Sequence, residues 1–338
     1  MKQDLRRVAI LLFCLAWLSG GAGLAETEEE EGYLWLNDVV AAREEILSIE
    51  APSGLAVYRA HTVQSDVEEI ARFFGISERE DVVFQENSDF QSYFKGNEIL
   101  LSVGGMSVGG GQIYFYRDGE SSNDALEDYY LGGSHEPLIR TEEMPNWQGE
   151  LDIMPREKAA QMVGDAINQL YPLEGFEQRT TVYAVWGNED EEDCYLVEIE
   201  FQLGGVPVTH KSYQLYSGRE TQGTGVLAVA DAAGIRHLRA TNVLYTIEEK
   251  SQPDGQMLDA QGALEAFAQP YAGLLLSEPI RIERALLLYL PLPVPGNADP
   301  SVVEMRPVWC YEYTFSEDRD FIRWGYLDAY TGEEYDMQ

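Results

Sequence analysis

Four histidines, His61, His135, His210 and His237, are the whole supply of imidazole for acid–base work or metal binding. None lies four residues from another, so the His-Glu-x-x-His pattern that sets two ligands on one helix face is absent. Cys14, Cys194 and Cys310 are too scattered for a Cys-x-x-Cys knuckle, the kind of spaced cluster from which tetrahedral zinc sites are made. Gly105-Met106-Ser107-Val108-Gly109 spells Gly-x-Ser-x-Gly, which in α/β-hydrolases lifts a nucleophilic serine on a sharp strand-to-helix turn. Here Gln112 to Tyr116 reads as another strand, and no α/β alternation surrounds the histidines that would serve as bases. The surrounding Gly104–Gly111 stretch also lacks the Gly-Lys-Ser/Thr ending and following helix of a phosphate cradle. It reads as a hairpin loop.

Carboxylates are abundant, and abundance removes their information. Glu189-Asp190-Glu191-Glu192-Asp193 is the densest run, but calcium needs six to eight oxygens converging on one point, and five adjacent side chains on a hairpin tip do not converge. A solvated turn is the expectation, with weak divalent cation binding as the alternative. A pair of carboxylates at glycosidase spacing would arise by chance in any fold this acidic. Trp186, Trp309, Tyr311, Tyr313 and Trp324 have the chemistry of a sugar platform, yet at alternating spacing on strands they read as the core of a sheet packed on a helix. No catalytic, cofactor-binding or metal-ligating set emerges.

The elements must therefore be read for what they present. The 338 residues suffice for two or three domains with sizeable cores. Formal net charge is −36. Residues 1–25 hold Lys2, Arg6, Arg7 and Asp4, so without them 20 basic side chains face 58 acidic ones, −38. Such a surface repels nucleic acid and anionic lipid and favours solubility. Lys2, Arg6 and Arg7, the apolar run Val8–Leu18, and small residues up to Ala25 form the three-part pattern of a secretory signal peptide, with cleavage expected before Glu26. The alternative is an uncleaved anchor. Cys14 sits within the apolar run behind Phe13, which rules out lipidation there. Secretion or cell-surface display follows, and with it the option of a Cys194–Cys310 disulfide or of two buried thiols.

Along the chain, residues 26–50 read as an acidic spacer followed by a helix-spaced stretch, with Leu36, Val39, Val40 and Leu47 on one face. Residues 51–140 read as one α+β unit: a strand near Val57–Val63, a helix from an N-cap at Ser65 to Gly75, and strands at Val82–Phe84, Ile99–Val103 and Gln112–Tyr116. Residues 141–154, with Pro145 and Gly149, read as a linker. Two similar passes follow, at 155–250 and 251–338. Each opens on a helix, after Pro155 and after the N-cap Asp259, and continues in strands. Cys194-Tyr195 and Cys310-Tyr311 align between them. The fold class expected is α+β, as tandem small modules, each a helix on an antiparallel sheet.

Two stretches carry a family likeness. Tyr326-Leu327-Asp328-Ala329-Tyr330-Thr331-Gly332-Glu333 resembles the closing strand of PepSY-type domains, small extracytoplasmic α+β modules that end on an Asp-Ala-x-Thr-Gly-Glu hairpin. Arg306-Pro307-Val308-Trp309-Cys310-Tyr311-Glu312-Tyr313 resembles the strand before that ending in related Gram-positive proteins. The order of elements over roughly the last 180 residues, with Gly204-Gly205-Val206-Pro207-Val208 and Gly234-Ile235, is also similar to extracytoplasmic parts of YycH/YycI-type regulators. Unlike those regulators, this chain has a cleavage pattern in place of a membrane anchor. The resemblance implies a non-enzymatic accessory or regulatory protein, without a cofactor, that engages an envelope or membrane protein, a sensor or a protease. A secreted hydrolase or an acidic cation-binding surface protein is the alternative. Tyr195–Phe201 and Trp324–Tyr330 read first as core strands, and they are also the candidates for a strand edge offered to such a partner.

Overall fold

A computed structural model describes residues 32–63, 65–104, 111–119, 146–171, 173–187, 192–211, 213–214, 220–221, 223–240, 244–315 and 322–337. In chain order the elements are β1 (Tyr33–Trp35), β2 (Val40–Arg43), β3 (Val57–Thr62), α1 (Val67–Phe73), β4 (Val82–Glu86), β5 (Phe90–Lys95), β6 (Glu98–Gly104) and β7 (Gln112–Tyr116). Next come α2 (Arg156–Leu170), β8 (Glu177–Val185), β9 (Cys194–Leu203), β10 (Val206–Pro207), β11 (Tyr213–Gln214), β12 (Glu220–Thr221), β13 (Val226–Asp231), β14 (Gly234–Ala240) and β15 (Tyr245–Ser251). The chain closes with α3 (Ala260–Ala268), β16 (Ile280–Pro293), β17 (Val302–Thr314), β18 (Arg323–Asp328) and β19 (Glu334–Tyr335).

A central nine-stranded sheet runs β8-β9-β13-β14-β7-β6-β5-β4, with β10 folded back onto the end of β9, and every pairing in it is antiparallel. Period-two alternation decides its faces. On β9, Tyr195, Val197, Ile199 and Phe201 point to the side covered by α2, while Cys194 and Leu196 point to the other. The helix returns Ala159, Val163, Ala166 and Ile167, spaced to share one stripe, and all four are buried. Full burial of each Val or Ile contributes about 1.5–3 kcal/mol. α1 covers the β5–β6 end with Val67, Ile70 and Ala71.

The second sheet has eight strands and is assembled from both ends of the chain, β1-β2-β16-β17-β18-β19, with β3 joined to the far half of β17 and β15 to β3. Its spine is the long β16–β17 hairpin, registered from Arg281↔Thr314 to Pro293↔Val303. β2 lies parallel to β16, Val40 opposite Ile280. α3 lays Leu264 and Phe267 on Trp309, Tyr311 and Tyr313. Gly325 permits this, because a Cβ there would stand 2.7 Å from the Phe267 ring. A third cluster, with Tyr58, Leu203, Val206, Tyr245, Tyr289 and Met305, joins the two sheets. The Tyr289 hydroxyl donates to Ala56 C=O at 2.9 Å, and Val208 bridges to Tyr289.

The molecule is thus mixed α/β and mostly sheet, as two large sheets in place of the expected tandem of small helix-on-sheet modules. The order helix, hairpin, third strand does recur, in α2-β8-β9-β13 and α3-β16-β17-β18, with Tyr195 and Tyr311 facing the helices and Cys194 and Cys310 facing away. Each copy is extended by strands from elsewhere: β14, β7, β6, β5 and β4 continue the first, and β2, β1 and β3 complete the second. Residues 57–62 and 82–116, read together in the sequence, belong to different sheets. The helix-spaced 34–49 stretch is instead β1, β2 and a short 3-10 turn, Glu44–Ser48, because Val40, Ala41 and Ala42 are buried by strand pairing. Asp66, one residue past Ser65, caps α1 by accepting from the N–H of Glu68 and Glu69. The described part of the 141–154 segment is tied down: the Tyr195 hydroxyl accepts from Leu151 N–H at 2.7 Å and turns its proton toward Met154 C=O at 3.1 Å. Cys194 and Cys310 are not joined; both are buried thiols, in different sheets and on the faces turned away from α2 and α3. No helix among the described residues is long and apolar enough to cross a membrane. The expected leader, 1–25, and residues 26–31 of the expected acidic spacer lie outside the described residues.

Candidate interaction surface

Among the described residues the chemistry-bearing side chains do not converge. His61, on β3, sets Nδ1 3.2 Å from Glu248. His237, on β14, is fully buried and stacks on Tyr116, ring centroids 4.3 Å apart. His210 follows β10 in the segment that leads to β11. Ser107, the rest of the Gly-x-Ser-x-Gly string, His135 and Glu189–Glu191 lie outside the described residues. Asp193, at the end of that acidic run, accepts from Gly187 N–H at 2.9 Å and so closes a turn. Among the described residues no three His, Cys, Asp or Glu side chains gather as metal ligands would. Of the proposed aromatic platform, Trp309, Tyr311 and Tyr313 are core, and Trp186 is the exposed member.

The Asp-Ala-x-Thr-Gly-Glu ending proves to be a clamp. Asp328 is buried at the end of β18, opposite Val308. Its Oδ1 accepts from the N–H of Tyr330 and Thr331, both at 2.9 Å, which fixes the turn. Its Oδ2 accepts from Arg306 Nε at 2.9 Å and from the Tyr335 hydroxyl at 2.6 Å. Burial opposes the charge, but Tyr335, the two turn N–H groups and Arg306 outweigh it and hold the carboxyl below the usual range. Gly332 completes the turn at φ 70°, where a side chain would be strained. The two stretches that carry the family likeness are thus neighbouring strands in direct register, and their polar residues serve the fold.

The two candidate segments are core strands, as their alternation suggests. β9 lies between β8 and β13, and β18 lies against β17 along its length and against β19 at Tyr326 and Leu327. Among the described residues the edges are β1, β19 and β15 in one sheet and β8, the two-residue β10 and β4 in the other. Exposed edges invite pairing and are usually blunted. β1 and β19 are three and two residues long. β15 carries a bulge between Ile247 and Glu249 and displays Glu248, Glu249 and Lys250. β8 is covered at one end, where Ala184 N–H donates to Trp147 C=O at 2.8 Å and Arg156 donates to Val182 C=O. A shallow cleft of about 470 Å³ beside it is lined by Trp147, Arg156, Glu157 and Thr180, and its Arg156 guanidinium is engaged by Val182 C=O and lies over the Trp147 ring.

β4 is five residues long, carries no bulge against β5, and bears one charged residue, Glu86, at its end. The β4–β5 turn is set by Asn87, whose side chain accepts from the N–H of Asp89 and Phe90, and Asn87 N–H donates to Phe90 C=O at 2.9 Å. Antiparallel alternation then points Gln85 and Val83 inward, toward β5, and sends the N–H and C=O of Glu86, Phe84 and Val82 outward. Among the described residues no backbone bond meets them. Val83 and Phe84 are 58% and 45% exposed, and Phe84 leans on Tyr93 at 5.2 Å between ring centroids. The sequence marks Val82–Phe84 as a strand. It hides that the strand is outermost, since that depends on which later strands fill the other side of β5.

No family model and no curated protein matches the chain. Among solved structures it is similar to an uncharacterized protein from Eubacterium rectale, with a TM-score of 0.57 and 16% identity over 90% of this chain and 93% of that one. The likeness runs through nearly the whole of both chains and is one of fold.

Proposed function

We propose that this is a non-enzymatic binding protein, acting outside the cytoplasmic membrane, that holds an extended segment of another protein along β4. The partner belongs to the envelope, as a sensor, a protease or another surface protein, and the chain modulates it. One observation carries the reading: among the described residues β4 is an outermost strand, with outward backbone at Val82, Phe84 and Glu86 and two exposed apolar side chains. Strand addition uses those backbone groups for affinity and alternate side chains for selection. The acidic surface keeps so open an edge soluble. The leader pattern and the PepSY-like ending support the location and the accessory role.

Phe84→Pro tests the reading. It removes an outward N–H and no ladder donor, and proline is tolerated on a strand edge in that orientation. The variant is expected to fold, to lose capture of a partner from the envelope fraction, and to lose the partner-induced slowing of amide exchange seen at Val82, Phe84 and Glu86 in the parent protein. Undiminished capture, with those amides exchanging freely in the complex, would place binding elsewhere.

A further inference from the structure

We infer that the segment added at β4 is basic at both ends and apolar in the middle, a strand of the form Lys/Arg-x-apolar-x-apolar-x-Lys/Arg. This rests on the edge reading above and names what the edge selects. Added antiparallel, like every other pairing in this sheet, such a strand sets its two apolar residues opposite Phe84 and Val82. Two residues beyond Phe84 it meets Glu86, which is exposed. At the other end, before Val82, lies the turn that carries Glu80 and Glu78, also exposed. The nearby cations are already engaged: Arg79 and Lys95 both bond Asp81, at 3.5 Å each. The apolar centre thus sits between two acidic ends whose local counter-charges are spent. Opposite charges placed directly across a strand pair stabilise it, and like charges do the reverse. Pairing with a second copy would bring together two chains of net charge −36, each with the same acidic rim.

The test uses the full-length mature protein and a capped synthetic peptide, Lys-Thr-Val-Thr-Val-Thr-Lys, beside its counterpart with Glu in place of both Lys. The basic peptide is expected to slow amide exchange at Val82, Phe84 and Glu86, and to bind about tenfold tighter than the acidic one. That preference should fade between about 50 and 500 mM salt, as screening shortens. Phe84→Pro and Phe84→Lys, both checked as folded by circular dichroism, should each abolish the protection. Equal binding of the two peptides, or binding indifferent to salt, overturns the basic partner and leaves the edge reading standing. Protection by neither peptide sinks both. Protection that grows with protein concentration in the absence of peptide names a second copy as the occupant and overturns the inference.

Discussion

Replacing Asp328 asks whether the closing turn is a clamp, as its geometry says, or a recognition element. The carboxylate is buried and accepts four hydrogen bonds, two from turn N–H groups and two from Arg306 and Tyr335. Asp328→Ala leaves the Arg306 guanidinium facing an empty, buried site, and breaking such a pair from one side costs about 3–5 kcal/mol. Asp328→Asn keeps an oxygen for the turn and loses the charge-assisted bonds to Arg306 and Tyr335, a loss of about 1.5–3 kcal/mol. The pH dependence carries the sharper test. Asp328 has its carboxyl held below the ordinary 3.8, so its contribution is complete above that value and disappears as pH falls through the lower folded one. Asparagine does not titrate. The gap between parent and Asp328→Asn should therefore stay level through neutral pH and close below 3.8. Urea unfolding followed by tryptophan fluorescence at a series of pH values measures the gap, and an unchanged m-value shows that the transition keeps its cooperativity. A variant within about 0.5 kcal/mol of the parent at neutral pH, or a gap that persists unchanged in acid, would refute the clamp.

Three further outcomes are expected. Cys194 and Cys310 should react with a thiol reagent only after unfolding, and the native mass should show both hydrogens; a product two hydrogens lighter would contradict the buried thiols. Lys211 lies over Trp324, 5.3 Å from the ring centroid, and burial pulls its amine down to about 7 although Cys310 and Glu312 draw it upward. Because the unfolded chain binds that proton more tightly, parent stability gains with pH between about 7 and the ordinary 10.5, so any advantage of Lys211→Met should be largest at or below pH 7 and shrink by pH 10, read as the difference in Tm. Arg117→Met should cost about 3 kcal/mol in urea unfolding by stranding Asp231, which is buried and bonded to Arg117 through both carboxylate oxygens.

Local structure was largely legible and assembly was not. The α2 stripe of Ala159, Val163, Ala166 and Ile167 and the Asp259 cap announce their helices because the signal lies within a few residues. β9 and β17 read as strands by alternation and aromatic content. β2 misled because Val39, Val40 and Leu47 also fit helical spacing, and only pairing with Ile280–Ile282, far down the chain, settles the choice. β14 escaped because Gly234-Ile235-Arg236-His237-Leu238-Arg239 has no clean apolar period; its outer face is polar and aromatic contacts bury it. The clamp residues were visible as a motif, but their role was not, since Tyr335 and Arg306 meet Asp328 only in the folded sheet. The β4 surface was half visible: its strand could be read, while its place at the rim depends on the order of eight other strands.

The way β2 and β3 are held has a consequence in time. Val40 waits for Ile280 and Ala60 for Val303, partners that a growing chain supplies only near its end. The first strands made are therefore among the last to be paired, and pairings so remote in sequence are slow to form. The central sheet lacks such a debt to the termini and can close first, giving a nucleus on which the ends are later stitched together. A fragment beginning at residue 155 would leave β16 and the far half of β17 without β2 and β3, and so would show new edges of its own. The second sheet is thereby completed after the central one, because β2 and β3 must wait for β16 and β17.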